Sequence, residues 1–192
     1  MQRSAERMQQ LIHDVVAYSR ISVDVRKFEM IDFKLLLEEV KEEFSDMIVH
    51  KHAVIEAGEI CDVNAIFIQW RQLLRHLIDN ALKFSHDDIP PHIVITCKKI
   101  KYSKLAVTLL PPQKEYFHIR VTDNGIGLEK QYGEKIFDVF EKLHPKEIYP
   151  GTGIGLAIVR KIVHNHNGTI TATGEVNKGT EFDIYLPVIQ SK

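Results

Sequence analysis

Cysteine is nearly missing from this sequence: of 192 residues only Cys61 and Cys97 carry a thiol. They lie without C-x-x-C spacing and without a nearby His pair, which argues against a metal centre and predicts two reduced, partly buried thiols in a cytoplasmic chain. An excess of one charge is missing too. The 25 Lys and Arg against 26 Asp and Glu give a net charge of −1, no electrostatic footing for nucleic acid or an anionic membrane. No apolar run approaches the roughly 20 residues of a membrane span, and the first residues lack a signal-peptide core. The stretch is expected to make no membrane contact; an anchor, if the parent protein has one, belongs to another part of it. No G-x-x-x-x-G-K-[ST] motif occurs, which excludes a P-loop. The glycine-rich run comes late and not after a first strand, which excludes a dinucleotide fold. Repeats and low-complexity tracts are absent.

What is present is an ordinary globular balance, 44% hydrophobic and 27% charged residues, in a length that suits one domain plus an appendage. Ten histidines would raise the charge on mild acidification, but a count assigns them no role. Arg3 to Ser19 reads as a helix, with Met8, Leu11, Ile12, Val15, Val16 and Tyr18 on one apolar stripe. That stripe suits a helical bundle or a dimer seam; packing onto the following domain is the plainer alternative. Ile21 to Met30 reads as a linker. Asp32 is a plausible N-cap for a second helix bearing Leu35, Leu36, Val40, Phe44, Met47 and Ile48 on one face. Ala53 to Cys61 reads as a strand, a turn at Gly58 and a short second strand. Asp62 or Asn64 is expected to cap a long helix from about Ala65 to Ser85. Strands follow at Ile93–Cys97 and Tyr116–Val121, joined through Lys98–Glu115 with its Pro111-Pro112. Gly133–Glu141 is a short helical piece, Leu143–Thr152 a mobile segment, and a buried helix then runs to a stop near Asn167-Gly168. Thr169–Thr173 and Thr180–Leu186 close the chain as a hairpin. Helices first, then an α/β mixture with adjoining late strands, give an α+β fold: a mixed sheet of about five strands, with about three helices on one face, preceded by one bundle-type helix.

Three groups of residues fall outside what a core requires. On the long helix His76, Asn80, Lys83 and Phe84 share one side; a solvated polar stripe is the bland reading, a set for metal, phosphate and base the sharper one. Asp123-Asn124-Gly125-Ile126-Gly127 directly follows a strand, and can be a plain turn or a carboxylate placed to accept from an adenine amine. Gly151, Gly153 and Gly155 run into the buried helix, as tight packing or as a cradle whose amides meet phosphate. Taken together the three groups read as an ATP site. Asp123 takes the base, Gly125 and Gly127 let base and ribose approach, and Lys83 pairs with phosphate as a point charge. Asn80 supplies one oxygen to a Mg²⁺ that keeps its waters. Phe84 lies against the base or fills core.

These same stretches resemble the boxes of sensor histidine kinases. His76-Leu77-Ile78-Asp79-Asn80-Ala81-Leu82-Lys83-Phe84-Ser85 looks like their N box, Asp123–Gly127 their G1 box, Phe137-Asp138-Val139-Phe140 their F box and Gly151–Gly155 their G2 box. The resemblance implies the Bergerat ATP-binding fold, a two-layer α/β sandwich shared with gyrase and MutL, with an ATP lid between the F and G2 boxes. It implies that Asn80 ligates Mg²⁺, that Asp123 binds the adenine amine and that Lys83 touches phosphate. Thr180, in Lys178-Gly179-Thr180, matches a late Gly-Thr that helps hold adenine, and Lys142 stands where many members carry a phosphate-contacting lid Arg. It divides the chain into 1–22, the second helix of a dimerisation and phosphoacceptor hairpin, 23–31, a linker, and 32–192, the catalytic domain.

Three departures accompany it. His76 replaces the first Asn of the usual N box, and the 98–115 connection is long. His13-Asp14 mimics the start of an H box, but Tyr18 stands where the family places Pro, so the acceptor histidine is expected upstream of Met1. The implied activity is transfer of the γ-phosphoryl of Mg-ATP to a His on a homodimeric hairpin, for relay to a response regulator receiver domain. ATP and ADP are the implied ligands. A serine-directed anti-sigma-type kinase, an ATP-gated dimerisation clamp and a non-catalytic scaffold are the competing readings.

Overall fold

Three strands of alternating apolar residues form the floor on which everything else rests. In β4 (His92–Lys101), β5 (Glu115–Asp123) and β7 (Gly179–Pro187), Ile93, Ile95 and Cys97, then Phe117, Ile119 and Val121, then Phe182, Ile184 and Leu186 are all buried on the helix side. The period of two puts their neighbours on the other face, where His118 and Tyr185 stack with centroids 4.6 Å apart and Asp183 accepts from Arg120 Nε at 2.9 Å. With β2 (Val54–Ala57) and β6 (Thr169–Glu175) the sheet has five strands in the order β2-β4-β5-β7-β6. Only the β2–β4 pair is parallel; the others are antiparallel. The computed structural model describes residues 2–21, 27–101, 115–143, 149 and 151–189. The 98–115 connection, the lid-like segment before Thr152 and the 23–31 linker therefore lie partly outside the described residues.

The helices cover one face, as an α+β sandwich requires. They are α1 (Gln2–Arg20), α2 (Phe33–Glu43), α3 (Ser45–Lys51), α4 (Phe67–Lys83) and α5 (Gly155–Asn165). Asp32 caps α2, its carboxylate accepting the Leu35 N–H at 2.9 Å. α4 buries Trp70, Leu73, Leu74, Leu77, Ile78, Ala81 and Leu82, and α5 buries Ala157, Ile158, Val159, Ile162 and Val163; spacings of three and four residues place each set on one face. α5 stops as expected, with Asn167 in the left-handed region at φ 54 and Gly168 N–H donating to Val163 O at 2.9 Å.

Several expectations are corrected. Neither Asp62 nor Asn64 caps α4. Asn64 lies in β3 (Val63–Ala65), which pairs antiparallel with β1 (Glu29–Ile31), so part of the supposed linker is a strand. The helix begins later, after Ile66, whose N–H is taken by the buried His166 ring at 3.0 Å; that ring sits 100 residues away in sequence. The second strand expected before Cys61 does not form. Instead Cys61 and Cys97 are joined in a disulfide, with Cα atoms 5.3 Å apart, so the expected free thiols are absent. The parallel β2–β4 pairing continues through Gly58 N–H to Ile95 O and Cys97 N–H to Glu59 O, which brings the two cysteines together. The short helical piece expected at 133–141 is confined to one 3-10 turn, Lys135–Phe137, and a second 3-10 turn, Lys130–Tyr132, precedes it. On α1, Leu11, Ala17 and Tyr18 pack on the core, while Met8, Ile12, Val15 and Val16 of the same stripe are exposed. The His13 side chain lies outside the described residues.

Candidate functional site

The polar face of α4 and the turn after β5 are fastened to each other. Phe84, at the end of α4, offers its carbonyl to Ile126 N–H at 2.9 Å, and a Cβ on Gly125 would come within 2.4 Å of that oxygen. Only a residue without a side chain permits this approach. Gly125 therefore forms the seam behind the site and does not line it. Gly127 sits at φ +69, with space for a Cβ closed by Glu175 O, so the turn is also held against the β6–β7 hairpin.

The turn fixes a carboxylate. Asp123 Oδ1 accepts the N–H of Gly125 at 2.9 Å and the N–H of Thr180 at 3.1 Å. Among the described residues Oδ2 has no hydrogen-bond donor. Burial pushes the Asp123 carboxyl above the ordinary carboxylate value, and the two backbone N–H groups act the other way. The result is a half-buried acceptor of defined direction, which suits a donor brought by a ligand.

At the opposite end α4 meets the glycine loop. Asn80, Lys83 and His76 line one cavity with Gly151, Gly153 and Gly155. Burial holds the Lys83 ammonium below its usual value, with Asp79 opposing and the nearby Lys142 adding to the fall. Two cations held close favour an anion between them. Lys142 Nζ itself donates to Gly151 O. Burial brings the His76 imidazole down to about 4, Arg75 pushing the same way and Asp14 against; its Nε2 is buried with no hydrogen-bond partner among the described residues. Burial raises the neighbouring Asp79 carboxyl, with Lys83 opposing. Among the described residues no side chain caps the first turn of α5, and Gly155 and Leu156 line the cavity, so N–H groups that a helix start leaves unpaired lie at this end.

The cavity holds about 400 Å³, the size of a cofactor-binding cleft. Of the sequence-derived set, Asn80, Lys83, Phe84, Asp123, Gly127, Lys142, Gly151, Gly153, Gly155 and Thr180 all line it. Phe84 pairs with Tyr149, centroids 5.0 Å apart, and carries Lys83 Nζ 4.5 Å from its ring centroid, so it serves as wall and not as deep core. Sequence reasoning missed the apolar lining, Ile126, Leu128, Ile136 and Phe182, and the residue that α1 contributes, Asp14. The i, i+4 relation of Arg75 and Asp79 to the polar face of α4 could have signalled those two; nothing local signals Asp14.

A mixed sheet covered by helices on one face, with a half-polar cavity between a strand-end carboxylate and a helix start, places the chain among α+β sandwich domains with a cofactor-sized cleft. The family described as histidine kinase-, DNA gyrase B- and HSP90-like ATPase matches residues 66–190, and the chain belongs to it. It is 32% identical over 181 residues to the phytochrome-like protein Cph1 of Synechocystis sp., covering 94% of this chain and 22% of that one. Among solved structures, full-length ShkA in complex with AMPPNP matches with a TM-score of 0.74 and 22% identity over 98% of this chain and 37% of that one. Histidine kinase ThkA in complex with response regulator protein TrrA matches with a TM-score of 0.70 and 21% identity, over 100% of this chain and 50% of that one. These two likenesses establish the fold. The chain spans 22% to 28% of the length of the first four curated relatives.

Proposed function

We propose that this chain is the ATP-binding catalytic unit of a sensor histidine kinase. The carrying observation is Asp123: a half-buried carboxylate with Oδ1 clamped by two N–H groups, lining a cavity that Lys83, Lys142 and the start of α5 also line. Asp123 Oδ2 accepts from the exocyclic amine of adenine, a donor where guanine presents an acceptor. Thr180 stands beside it. Phe84 and Tyr149 wall the middle, and Lys83 and Lys142 meet the phosphates, with Gly151, Gly153 and Gly155 leaving their backbone open to them.

The donor set also fits a hard divalent cation. Among the described residues no group of three or more His, Cys, Asp or Glu could hold a metal, whereas Asn80, whose side chain carries an amide oxygen, lines the cavity. Mg²⁺ takes few protein ligands and completes its shell with water and phosphate oxygens; bound there, it would neutralise charge on the transferred phosphoryl. Asn80 would hold it, and Lys83 would orient the phosphates. The phosphoryl acceptor is proposed to be a His on the dimerisation hairpin of the longer protein. A receiver domain would take the phosphoryl next, a reading supported by the likeness to a kinase solved with its response regulator.

Calorimetry with Mg-ATP, Mg-ADP and Mg-GTP tests the reading: both adenine nucleotides should release heat and GTP should not. Equal binding of GTP, or no heat with any nucleotide, overturns it. With radiolabelled ATP and the hairpin added in trans, label should appear on the hairpin in acid-labile form. Acid-stable label would point to a serine-directed kinase instead.

A further inference from the structure

α1 lies alongside α5 and runs in the same direction. Tyr18 O accepts from Lys161 Nζ at 2.7 Å, the same ammonium lies 4.0 Å from the Tyr18 ring centroid, and Ile21 O accepts from Asn165 Nδ2 at 2.9 Å. One turn before Tyr18, on the same side of α1, stands Asp14. Its Oδ2 accepts the Thr152 hydroxyl proton at 2.5 Å, a contact across 138 residues. Thr152 sits between Gly151 and Gly153 in the loop that leads into α5. Asp14 thus lines the cavity at the end where Arg75, Lys83 and Lys142 supply positive charge and Asp79 and Glu141 supply negative. Its own charge reaches both His76 and Asp79. Among the described residues seven charged groups line the cavity, and of these Asp14 alone comes from α1, so its presence depends on where that helix sits.

From this placement we infer that Asp14 is a specificity-determining residue that discriminates nucleotides by their number of phosphates. With α1 seated on α5, a carboxylate occupies the phosphate end and ties down the loop that must receive the terminal phosphate. A triphosphate brings more negative charge to that end than a diphosphate does, so the seated helix favours ADP over ATP. When α1 leaves α5 the carboxylate leaves with it, Thr152 is released, and the preference moves toward ATP. By thermodynamic reciprocity ATP must unseat α1 more than ADP does. The inference rests on the nucleotide reading above and adds to it the sensitivity of the site to the position of α1.

The test uses the 192-residue chain and calorimetric Kd values for Mg-ATP and Mg-ADP. Asp14→Asn removes the charge and keeps a side chain of the same shape; it should raise the ATP-to-ADP affinity ratio on the order of tenfold, less at high salt, as a screened Coulomb interaction demands. Lys161→Ala loosens the seat of α1 without touching the cavity, and should move the ratio the same way by a smaller factor. Melting temperatures close to that of the wild type confirm that both variants fold. An unchanged ratio in Asp14→Asn overturns the inference, as does weaker ATP binding, which would make the carboxylate a cation ligand. A shift in Asp14→Asn with none in Lys161→Ala overturns the dependence on α1. Failure of the wild type to bind either nucleotide would remove the nucleotide reading itself, a result distinct from these.

Discussion

At residue 123 the chain keeps a half-buried carboxylate and directs two backbone donors at one of its oxygens. Asp123→Asn preserves Oδ1 as an acceptor for Gly125 and Thr180, but turns the other oxygen into a donor that would oppose the adenine amine. The variant should fold with little change in melting temperature and lose on the order of 10- to 100-fold in ATP affinity, the value of a hydrogen bond to a charged group; calorimetry reads both sides of that comparison. His76 makes a pH prediction. Its folded value of about 4 lies below the ordinary 6.5, so the unfolded chain binds the proton more readily and stability must rise with pH. The contribution of neutral His76 is complete above about 6.5 and lost as pH falls toward 4, amounting to at most roughly 3 kcal/mol over that window. Urea midpoints of wild type and His76→Asn, measured between pH 4 and 7, should diverge at the acid end, with the wild type falling more steeply.

At the scale of elements, what the sequence made legible were the segments whose pattern is local. The apolar periodicity of α4 and α5, the alternation in β5 and β7 and the Asp32 cap of α2 depend only on near neighbours, and they are where the spacing places them. The site was readable for the same reason: Asn80 and Lys83 share a helix face, and Asp123 ends a strand. What escaped depends on distant partners. β1 is three residues long and exists because β3 pairs with it. The N–H of Ile66, the N-cap of α4, is satisfied by His166, which no cap rule anticipates. The two glycines of the β5 turn were read as room for a ligand, and only one, Gly127, lines the cavity. Both are fixed by neighbouring backbone, Gly125 by Phe84 and Gly127 by Glu175. Gly127→Ala combines a left-handed φ with a Cβ placed 2.0 Å from Glu175 O. It should cost at least about 2 kcal/mol, beyond the typical surface substitution, and drag nucleotide affinity down with it. Denaturant unfolding followed by circular dichroism checks the first part; an unchanged midpoint would mean the hairpin yields freely.

Across the whole molecule, the site and the covalent staple occupy different ends of the sheet. The cavity is built mainly from α4, the β5 turn, the β6–β7 hairpin and the start of α5, with Asp14 of α1 and the 136–143 stretch added, whereas the disulfide ties the segment after β2 to β4, and neither cysteine lines the cavity. Cross-linking residues 36 apart removes loop-closure entropy from the unfolded chain, about 4 kcal/mol in the chain-entropy model. Nucleotide acts on the same folding equilibrium by another route, since a ligand at 100 times its Kd adds about 2.7 kcal/mol through mass action. The two effects should add, because they share no residue and lie on separate strands. Reduction with dithiothreitol, or Cys61→Ser with Cys97→Ser, is therefore expected to lower the unfolding free energy by up to about 4 kcal/mol while leaving the Kd for ADP within about twofold. Saturating ADP should raise the melting temperature of the reduced protein as it raises that of the oxidised one. A reduced protein that kept its stability would show that the β2–β4 edge is held by strand pairing and core packing alone. One that lost nucleotide affinity would show that this edge and the β5 turn move together.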